Sequence, residues 1–193
     1  MLFKKILLYT FFNLIFCNIS LAKCKDGNCK NGFGTFVGFY DSSYVGQFKD
    51  GKFHGEGIYT WSDKAKYKGK FIEGLRNGKG FFEIPNGIKF EGEFKDDHYL
   101  KGIFTFPNGD EYSGEFKNGK FHGQGIYTYI NGEKYTGQFI AGRRNGKGVF
   151  KYADGKIYYG DFKDGKFHGQ GIFTSINGEK YIGQFIEGKR VVN

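Results

Sequence analysis

The feature that most constrains the fold of this chain is a Tyr-x-Gly-x-Phe motif that returns at intervals of 23 residues. One interval, from Phe90 to Tyr112, is 22 residues long. A fixed period between about 20 and 50 residues indicates a repeat architecture built from one supersecondary element per unit. Six full units occupy residues 44–180, and half-units occupy 30–43 and 181–193. The units begin at Tyr44, Tyr67, Phe90, Tyr112, Tyr135, Tyr158 and Tyr181, with Phe90 standing in for the usual tyrosine.

Each unit shows the alternation of a β-hairpin. In the unit that starts at Tyr112, this residue shares one face with Gly114 and Phe116, and polar residues occupy the other face. A period of two is typical of half-buried strands and does not fit an amphipathic helix. Asn-Gly pairs at 118–119 and 131–132 punctuate the strands, and such pairs favour hairpin turns because both residues tolerate positive φ. Each unit is therefore predicted to contain two strands and two turns.

Glycine inside a strand is normally destabilising, so its recurrence needs a physical reason. We predict that Gly114 and Gly125 are sockets for flanking Tyr and Phe rings, which would clash with a Cβ at these positions. The alternative is that Gly-x-Gly pairs such as Gly55 and Gly57 cradle phosphate. That role requires a strand followed by a helix N-terminus, and no helical pattern follows these pairs.

The chain also repeats more closely at 46 residues than at 23. Segments 119–139 and 165–185 differ at only three pairs of positions: Tyr127/Phe173, Tyr129/Ser175 and Thr136/Ile182. At the exit of the first turn, alternate units carry Phe53, Phe121 and Phe167, whereas the others carry Arg76, Arg144 and Arg190. Two explanations of the closer repeat at 46 residues stay open. One is cation–π stacking between neighbouring Phe and Arg, and the other is recent duplication of a two-hairpin segment.

The pattern Tyr44-x-Gly46-x-Phe48-x-x-Gly51-x-x-x-Gly55-x-Gly57-x-Tyr59 resembles the MORN repeat (membrane occupation and recognition nexus). It recurs from Tyr112 to Tyr127 and from Tyr158 to Phe173. The resemblance implies an all-β fold, an elongated, twisted and open-ended antiparallel sheet of consecutive β-hairpins over residues 44–193. It also implies a scaffold or binding role, in proteins that bring partners together or lie near membranes.

The unit at 90–111 departs from this pattern. Leu100 replaces the first glycine of the Gly-x-Gly pair, the turn glycine is missing, and one residue is deleted. We expect a local kink or bulge in this unit.

Residues 1–22 have the pattern of a secretory signal peptide. Lys4 and Lys5 precede an apolar run, and Ser20 and Ala22 supply the small side chains of a cleavage site. The apolar run is shorter than the roughly 18–20 residues of a membrane-spanning helix, although an uncleaved anchor remains the alternative. The chain is therefore expected to be secreted, periplasmic or lumenal, with association to a membrane as a further expectation.

The segment 23–43 combines a cysteine turn with the first half-repeat. Cys24 and Cys29 flank Asp-Gly-Asn, and in an oxidising compartment this pair is expected to form a small disulfide loop. A metal site would need two further ligands nearby, and the sequence offers none.

The charge of the chain is basic. The sequence holds 29 Lys and Arg against 20 Asp and Glu, and loss of Lys4 and Lys5 with the signal would leave 27 basic residues. Such a chain is attracted to anionic surfaces, but charge alone does not distinguish lipid, polysaccharide, nucleic acid and acidic protein. Nucleic acid fits the charge but not the export signal.

The sequence gives no indication of catalysis, cofactor or metal. His54, His122 and His168 lie in copies of Gly-Lys-Phe-His-Gly, but copies two or more units apart are too distant to share one metal. No Ser/His/Asp or Cys/His combination is evident, and the acidic residues are scattered among lysines without the spacing of a calcium loop. We therefore expect a protein that is not an enzyme.

Two surfaces remain as candidate binding sites. The first is an aromatic face, which is either buried by its own ring stacking or free to bind protein or sugar; its candidate residues are Tyr59, Trp61, Tyr127, Tyr129, Phe150 and Tyr152. The second is a basic rim, which either keeps a sheet edge solvated or binds an anionic ligand. Its candidate residues are Arg76, Lys79, Arg143, Arg144, Lys147, Lys189 and Arg190.

The predicted function is that of an exported, non-catalytic scaffold or adaptor that binds protein partners first and an anionic phospholipid surface second. The alternative is a secreted carbohydrate-binding module that uses the aromatic–glycine face. Sugar platforms favour tryptophan, and Trp61 is the one tryptophan of the sequence. The half-units at the two ends are each expected to leave an unpaired strand edge, through which the chain would self-associate.

Overall fold

The computed structural model of the chain describes residues 22–192. The predicted signal peptide lies outside the described residues except for Ala22, and so does Asn193. Apart from a three-residue 3-10 turn at Phe39–Asp41, the regular structure of the described part is entirely β-strand. Within these residues, no helical segment has the length and apolarity that a bilayer crossing requires.

Sixteen strands follow one another, and their order in the sheet is their order in the chain. They are β1 Lys23–Gly27, β2 Gly32–Val37, β3 Ser43–Lys49, β4 Lys52–Thr60, β5 Lys66–Ile72, β6 Leu75–Glu83, β7 Lys89–Lys95, β8 His98–Thr105, β9 Glu111–Lys117, β10 Lys120–Thr128, β11 Lys134–Ile140, β12 Arg143–Lys151, β13 Ile157–Lys163, β14 Lys166–Thr174, β15 Lys180–Ile186 and β16 Lys189–Arg190. The predicted all-β sheet of consecutive antiparallel hairpins is confirmed. The chain divides into two compact parts, each of which contains several repeat units. The part up to Phe104 is called the first unit below, and the part from Thr105 onward is called the second unit.

The register of each hairpin places like residues opposite one another. In β9 and β10, Tyr112 pairs with Tyr127, Gly114 with Gly125, and Phe116 with Phe121, with a register shift between the glycine pair and the phenylalanine pair. The connecting turn residues Asn118 and Gly119 both have positive φ, at 51° and 68°. This geometry matches the two-residue turn that suits the right-handed twist of paired strands.

The paired glycines are sockets for a tyrosine ring, as predicted. A Cβ added to Gly125 would lie 2.6 Å from both Cε2 and Oη of Tyr112, and one added to Gly114 would lie 2.4 Å from the same Oη. The ring therefore lies across the bare backbone of two strands. The same arrangement is found under Tyr44, Tyr67, Tyr135 and Tyr158, and all five tyrosines are fully buried.

The hydroxyl of each buried tyrosine forms hydrogen bonds with backbone carbonyls near the register shift. The Tyr112 hydroxyl donates to the carbonyl of Glu115 at 2.8 Å and lies 3.2 Å from the carbonyl of His122. These two residues are the last pair before the shift, where the regular strand ladder is interrupted. Burial raises the pKa of Tyr44 and Tyr135 to about 12, so such hydroxyls remain protonated donors.

The irregular unit at 90–111 is shortened. Strand β8 has eight residues, whereas β6 and β10 have nine. It also lacks the left-handed glycine that β6 and β10 carry at Gly78 and Gly123. The Phe90 ring still covers a glycine pair, since its Cζ lies within 2.8 Å of a Cβ added to Gly92 or Gly102.

The N-terminal edge differs from the prediction of a lone half-repeat strand. Residues 23–27 form the additional strand β1, which pairs with β2, so β2 is not an edge. The predicted disulfide between Cys24 and Cys29 is present in this hairpin. The Cys29 sulfur lies 3.0 Å from a Cβ added to Gly34, so the disulfide covers a glycine much as the tyrosine rings do further along. At the other end, the two-residue strand β16 pairs with β15.

We predict that Gly125→Val lowers the free energy of unfolding by about 2 kcal/mol or more, because its side chain and the Tyr112 ring would compete for one space. Chemical denaturation measures the effect. The φ of Gly125 is outside the left-handed range, so backbone strain does not contribute. Ile126→Val, on the opposite face of the same strand, is the control and should change stability little. In a Tyr112→Ala background the Gly125→Val loss should shrink, and an undiminished loss would refute the socket.

Candidate functional site

The predicted aromatic residues come together as a row within each unit, here called the aromatic row. In the second unit Tyr127 lies 4.5 Å from Tyr129 between ring centroids, Phe150 lies 4.7 Å from Tyr152, and 6.2 Å separates Tyr129 from Phe150. In the first unit Tyr59 and Trp61 are 4.6 Å apart. The aromatic row thus consists of Tyr59, Trp61, Tyr127, Tyr129, Phe150 and Tyr152.

The aromatic row lies beside an inner layer of fully packed rings on the same face of the sheet. In that layer Phe121 stacks on Tyr112 with centroids 3.8 Å apart, and Phe53 stacks on Tyr44 at 3.9 Å. Ring stacking therefore buries the inner layer. In the aromatic row only Phe150 is buried, and the other five rings are half-exposed. The row therefore offers ring surface, and the phenol hydroxyls of Tyr129 and Tyr152, to a ligand.

Tyr127 is fixed by a buried carboxylate that the sequence analysis did not single out. Its hydroxyl donates to Asp110 Oδ2 at 2.9 Å, and the Ile130 N–H donates to Asp110 Oδ1 at 2.9 Å. Burial acts to raise the pKa of Asp110, but the hydrogen bonds from Ile130, Asn108 and Tyr127 together hold it below its usual value. Burial and the same carboxylate raise the pKa of Tyr127.

The alternating Phe and Arg residues occupy one structural position, the lid over the buried tyrosine. Where Phe121 stacks on Tyr112, the guanidinium of Arg144 lies 5.7 Å from the Tyr135 centroid. The same guanidinium lies 5.1 Å from the Phe150 centroid and donates to the Gly165 carbonyl at 2.7 Å. The two hairpin types therefore differ in whether a ring or a cation covers the tyrosine.

Arg76 corrects the predicted basic rim, because only 2% of its surface is exposed. Its Nε donates to Asp97 Oδ1 at 2.9 Å, and its Nη2 donates to the Asp97 carbonyl at 3.0 Å. Its guanidinium also lies within 6 Å of the ring centroids of Trp61, Tyr67, Phe82 and Phe94. The prediction that Arg76 faces an anionic ligand is therefore wrong. Its strand position points inward, as Phe53 does.

The remaining rim residues divide into two groups. Arg144 is half-buried, and Arg190 lies 4.7 Å from the Phe173 ring centroid, so both belong to the ring layer. Five rim residues are exposed, and Arg190 is one of them. Two of these have acidic partners, since Arg143 lies 3.4 Å from Asp164 and Lys147 lies 2.8 Å from Asp161. The exposed residues are Lys79, Arg143, Lys147, Lys189 and Arg190.

Asp97 explains why the irregular unit lacks its turn glycine. It stands at the turn position that Gly119 and Gly165 occupy in other units, and its φ of 67° is left-handed. A non-glycine residue there is held by the buried bonds to Arg76. Sequence reasoning missed this pair, although the missing turn glycine is a departure from the repeat that the sequence displays.

The three repeated histidines lie half-buried and contribute backbone to the tyrosine network. The carbonyls of His54, His122 and His168 all lie within hydrogen-bonding distance of tyrosine hydroxyls. Among residues 22–192, no group of three or more His, Cys, Asp or Glu side chains is placed to hold a metal ion.

We predict that Arg76→Phe and Arg144→Phe, although equivalent in the repeat, differ in effect. Arg76→Phe should lower the free energy of unfolding by about 3–5 kcal/mol, because it leaves the buried Asp97 carboxylate without its guanidinium partner. Arg144→Phe should cost far less, because Gly165 has no carboxylate and Phe121 shows that a ring fits over the tyrosine. In Arg76→Phe/Asp97→Gly most of the loss should return. Equal losses in urea denaturation at both positions would contradict this account.

We further predict that Asp110 supports the fold only while it is ionised. Since its folded pKa is lowered, its contribution is present above the pKa of an unfolded Asp and is lost as pH falls through the folded value. Asp110→Asn should therefore cost about 1–2 kcal/mol at neutral pH, and the gap to wild type should narrow as the pH falls below about 4, the usual pKa of an unfolded Asp. Glu133→Gln, at the same repeat position, is the control. A gap that stays constant with pH would disprove the role.

Comparisons with known proteins agree with this architecture. The chain is similar in structure to the TCP domain of SAS-4 (dCPAP) from Drosophila melanogaster, solved in complex with a proline-rich motif of Ana2 (dSTIL), with a TM-score of 0.52 and 13% identity over 90% of this chain and 97% of that one. It also matches the G-box domain of the microcephaly protein CPAP, with a TM-score of 0.47 and 11% identity over 86% of this chain and 99% of that one. At 13% identity the likeness to the TCP domain of SAS-4 concerns the fold alone. Comparison with curated proteins gives no match.

The family comparison is the most specific. The MORN repeat matches residues 44–66, 67–89, 101–111, 112–134, 135–157, 158–180 and 181–193. The stretch between the second and third matches is where the irregular unit loses its turn glycine to Asp97. Because the matches cover most of the chain, and the paired glycines under tyrosine rings recur through both units, the chain belongs to the MORN-repeat family.

Proposed function

We propose that this chain is an exported, non-catalytic scaffold that binds protein partners through the aromatic row. The observation that carries the proposal is the half-exposure of Tyr127, Tyr129 and Tyr152 beside an inner layer that is already fully packed. Tyrosine and tryptophan are enriched at protein interfaces because they combine large apolar area with a polar tip and few rotatable bonds.

An extended segment is the kind of partner that suits such a row. Proline-rich segments dock on aromatic surfaces because their conformation is already extended and costs little entropy to fix. Burial raises the pKa of Tyr129 and Tyr152, so both keep a hydroxyl proton for the carbonyls of such a peptide. The proline-rich motif on the similar TCP domain of SAS-4 supports the same use of this fold.

Export is supported by the disulfide and by the signal-like sequence of residues 1–22. A disulfide persists in oxidising compartments and is uncommon in the cytosol. The basic charge and the exposed lysines of the rim support an anionic phospholipid surface as a second partner, with attraction that salt would screen.

We predict that a decaproline peptide binds the purified chain and that Tyr129→Ser/Tyr152→Ala weakens it by about tenfold or more, as expected when anchoring rings are lost. Ser175 occupies the position of Tyr129 in the next copy of the repeat, so the fold tolerates this replacement. Isothermal titration measures affinity, and amide chemical shifts should move on β10 and β12. Thr136→Ile, on the opposite face, is the matched control because Ile182 stands there in the other copy.

The same titration discriminates the alternatives. Binding of cellohexaose but not decaproline would favour a carbohydrate-binding module on the same rings. Flotation with vesicles that contain phosphatidylserine, lost at high salt, would support the second partner. Affinity for decaproline that is unchanged in the double variant would contradict the proposed site.

A further inference from the structure

The face opposite the tyrosines carries an apolar row in the second unit. Strand pairing aligns one residue from each of β10 to β15 directly across the sheet. This row, here called the apolar row, consists of Ile126, Thr136, Val149, Tyr159, Ile172 and Ile182. Every second residue of the row is exposed to solvent, with 54% of Tyr159 and 71% of Ile182 accessible, whereas Ile126, Val149 and Ile172 are half-buried.

A second row runs beside the apolar row, two residues along each strand. It consists of Thr128, Lys134, Lys151, Ile157, Thr174 and Lys180, and is here called the lysine row. All three lysines are exposed, and none of them takes part in the ion pairs formed within residues 22–192. Over β10 to β15 neither row contains an acidic residue, and the nearest one across the sheet is Glu111 of β9, opposite Thr128 at the end of the lysine row.

The first unit shows that the fold does not require this pattern. At the positions of the apolar row, β5 and β7 carry Lys68 and Glu91. At the positions of the lysine row, charges of both signs alternate across Lys66, Glu83 and Lys89. A partly exposed row without charge, flanked by lysines that form no ion pair within the described residues, is therefore found over β10 to β15 of the second unit and not in the first unit.

We propose that the apolar row docks an amphipathic α-helix of a protein partner, with acidic residues along the side of the helix that faces the lysine row. The row spans five inter-strand steps, about 24 Å, which is the length of roughly 16 helical residues. The lysine row lies about 7 Å to one side, within the radius over which flanking side chains of a helix reach.

Three other occupants would fit the apolar row less well than an amphipathic helix. An extended strand laid across the row would set its unpaired N–H and C=O groups against apolar side chains that offer no hydrogen bonds. A second copy of the chain that used the same face would bring lysine rows together, and like charges across an interface are unfavourable. Binding to a bilayer strengthens with the apolar area that is buried, and this row is only one residue wide.

The apolar row and the aromatic row lie on opposite faces of the sheet. Helix docking on the apolar row and partner binding on the aromatic row can therefore be tested, and can fail, independently. The test uses a synthetic peptide of about 16 residues with leucines along one helical stripe and glutamates on one flank, together with a scrambled version of the same composition. The key variant is Tyr159→Lys/Ile182→Glu, which copies Lys68 and Glu91 of the first unit and so uses residues that the fold already accommodates. Unfolding curves that overlay the wild type verify this, and Ile182→Thr, which copies Thr136, is the milder second variant.

The wild-type chain should bind the amphipathic peptide in preference to the scrambled one and shift the amide signals of β10–β15. The double variant should weaken binding by about tenfold or more, Ile182→Thr should weaken it less, and Tyr129→Ser on the aromatic row should leave it unchanged. Added salt should weaken binding through the lysine row. Equal affinity for both peptides, or equal affinity of the double variant and wild type, would overturn the proposal. So would displacement of the peptide by vesicles of phosphatidylcholine and phosphatidylserine, which would assign the face to a membrane.

Discussion

The structure depends on one contact, a tyrosine ring laid across two facing glycines. In the hairpin of β9 and β10 the ring of Tyr112 lies where the Cβ atoms of Gly114 and Gly125 would be in any other residue pair. The ring therefore reaches the backbone itself, and its hydroxyl meets the carbonyls of Glu115 and His122 at the interruption of the strand ladder. One side chain fills the core and also satisfies backbone groups that the register shift would leave without partners.

The contact between tyrosine and glycines limits which residues can cover the buried tyrosine. The tyrosine needs a lid, and both a phenylalanine and an arginine provide one, as Phe121 over Tyr112 and Arg144 over Tyr135 show. Arginine as a lid brings a charge into the ring layer. In the first unit Asp97 neutralises Arg76, whereas the half-buried Arg144 of the second unit donates to the backbone carbonyl of Gly165. The face away from the rings is free of these demands, which is why its composition differs between the two units.

Sequence reasoning predicted the hairpins, the glycine sockets and the disulfide, since each has a local signature: alternation, Asn-Gly turns and a close cysteine pair. It missed the burial of Arg76 because the residue was assigned to a turn. Strict alternation from Gly80 and Phe82 would have placed Arg76 on the ring face. Alternation along the strand does not reveal the burial of Asp97 and Asp110, because their hydrogen-bond partners lie about 20 residues away in the sequence. Strand β1 was missed since its residues, Lys-Cys-Lys-Asp-Gly, show no alternation of polar and apolar side chains.

Within each unit, backbone bonds also join successive hairpins. The turn N–H groups of Gly74, Gly142 and Gly165 donate to the carbonyls of Phe53, Phe121 and Arg144, each 21 residues earlier in the chain. A repeat that touches only its neighbours has an energy close to a sum of unit and neighbour terms. Such a chain can change length by gain or loss of whole hairpins without a new core. A step of 46 residues, which carries one phenylalanine lid and one arginine lid together, preserves every neighbour contact. The near-identical segments 119–139 and 165–185 are what growth by that step would leave behind.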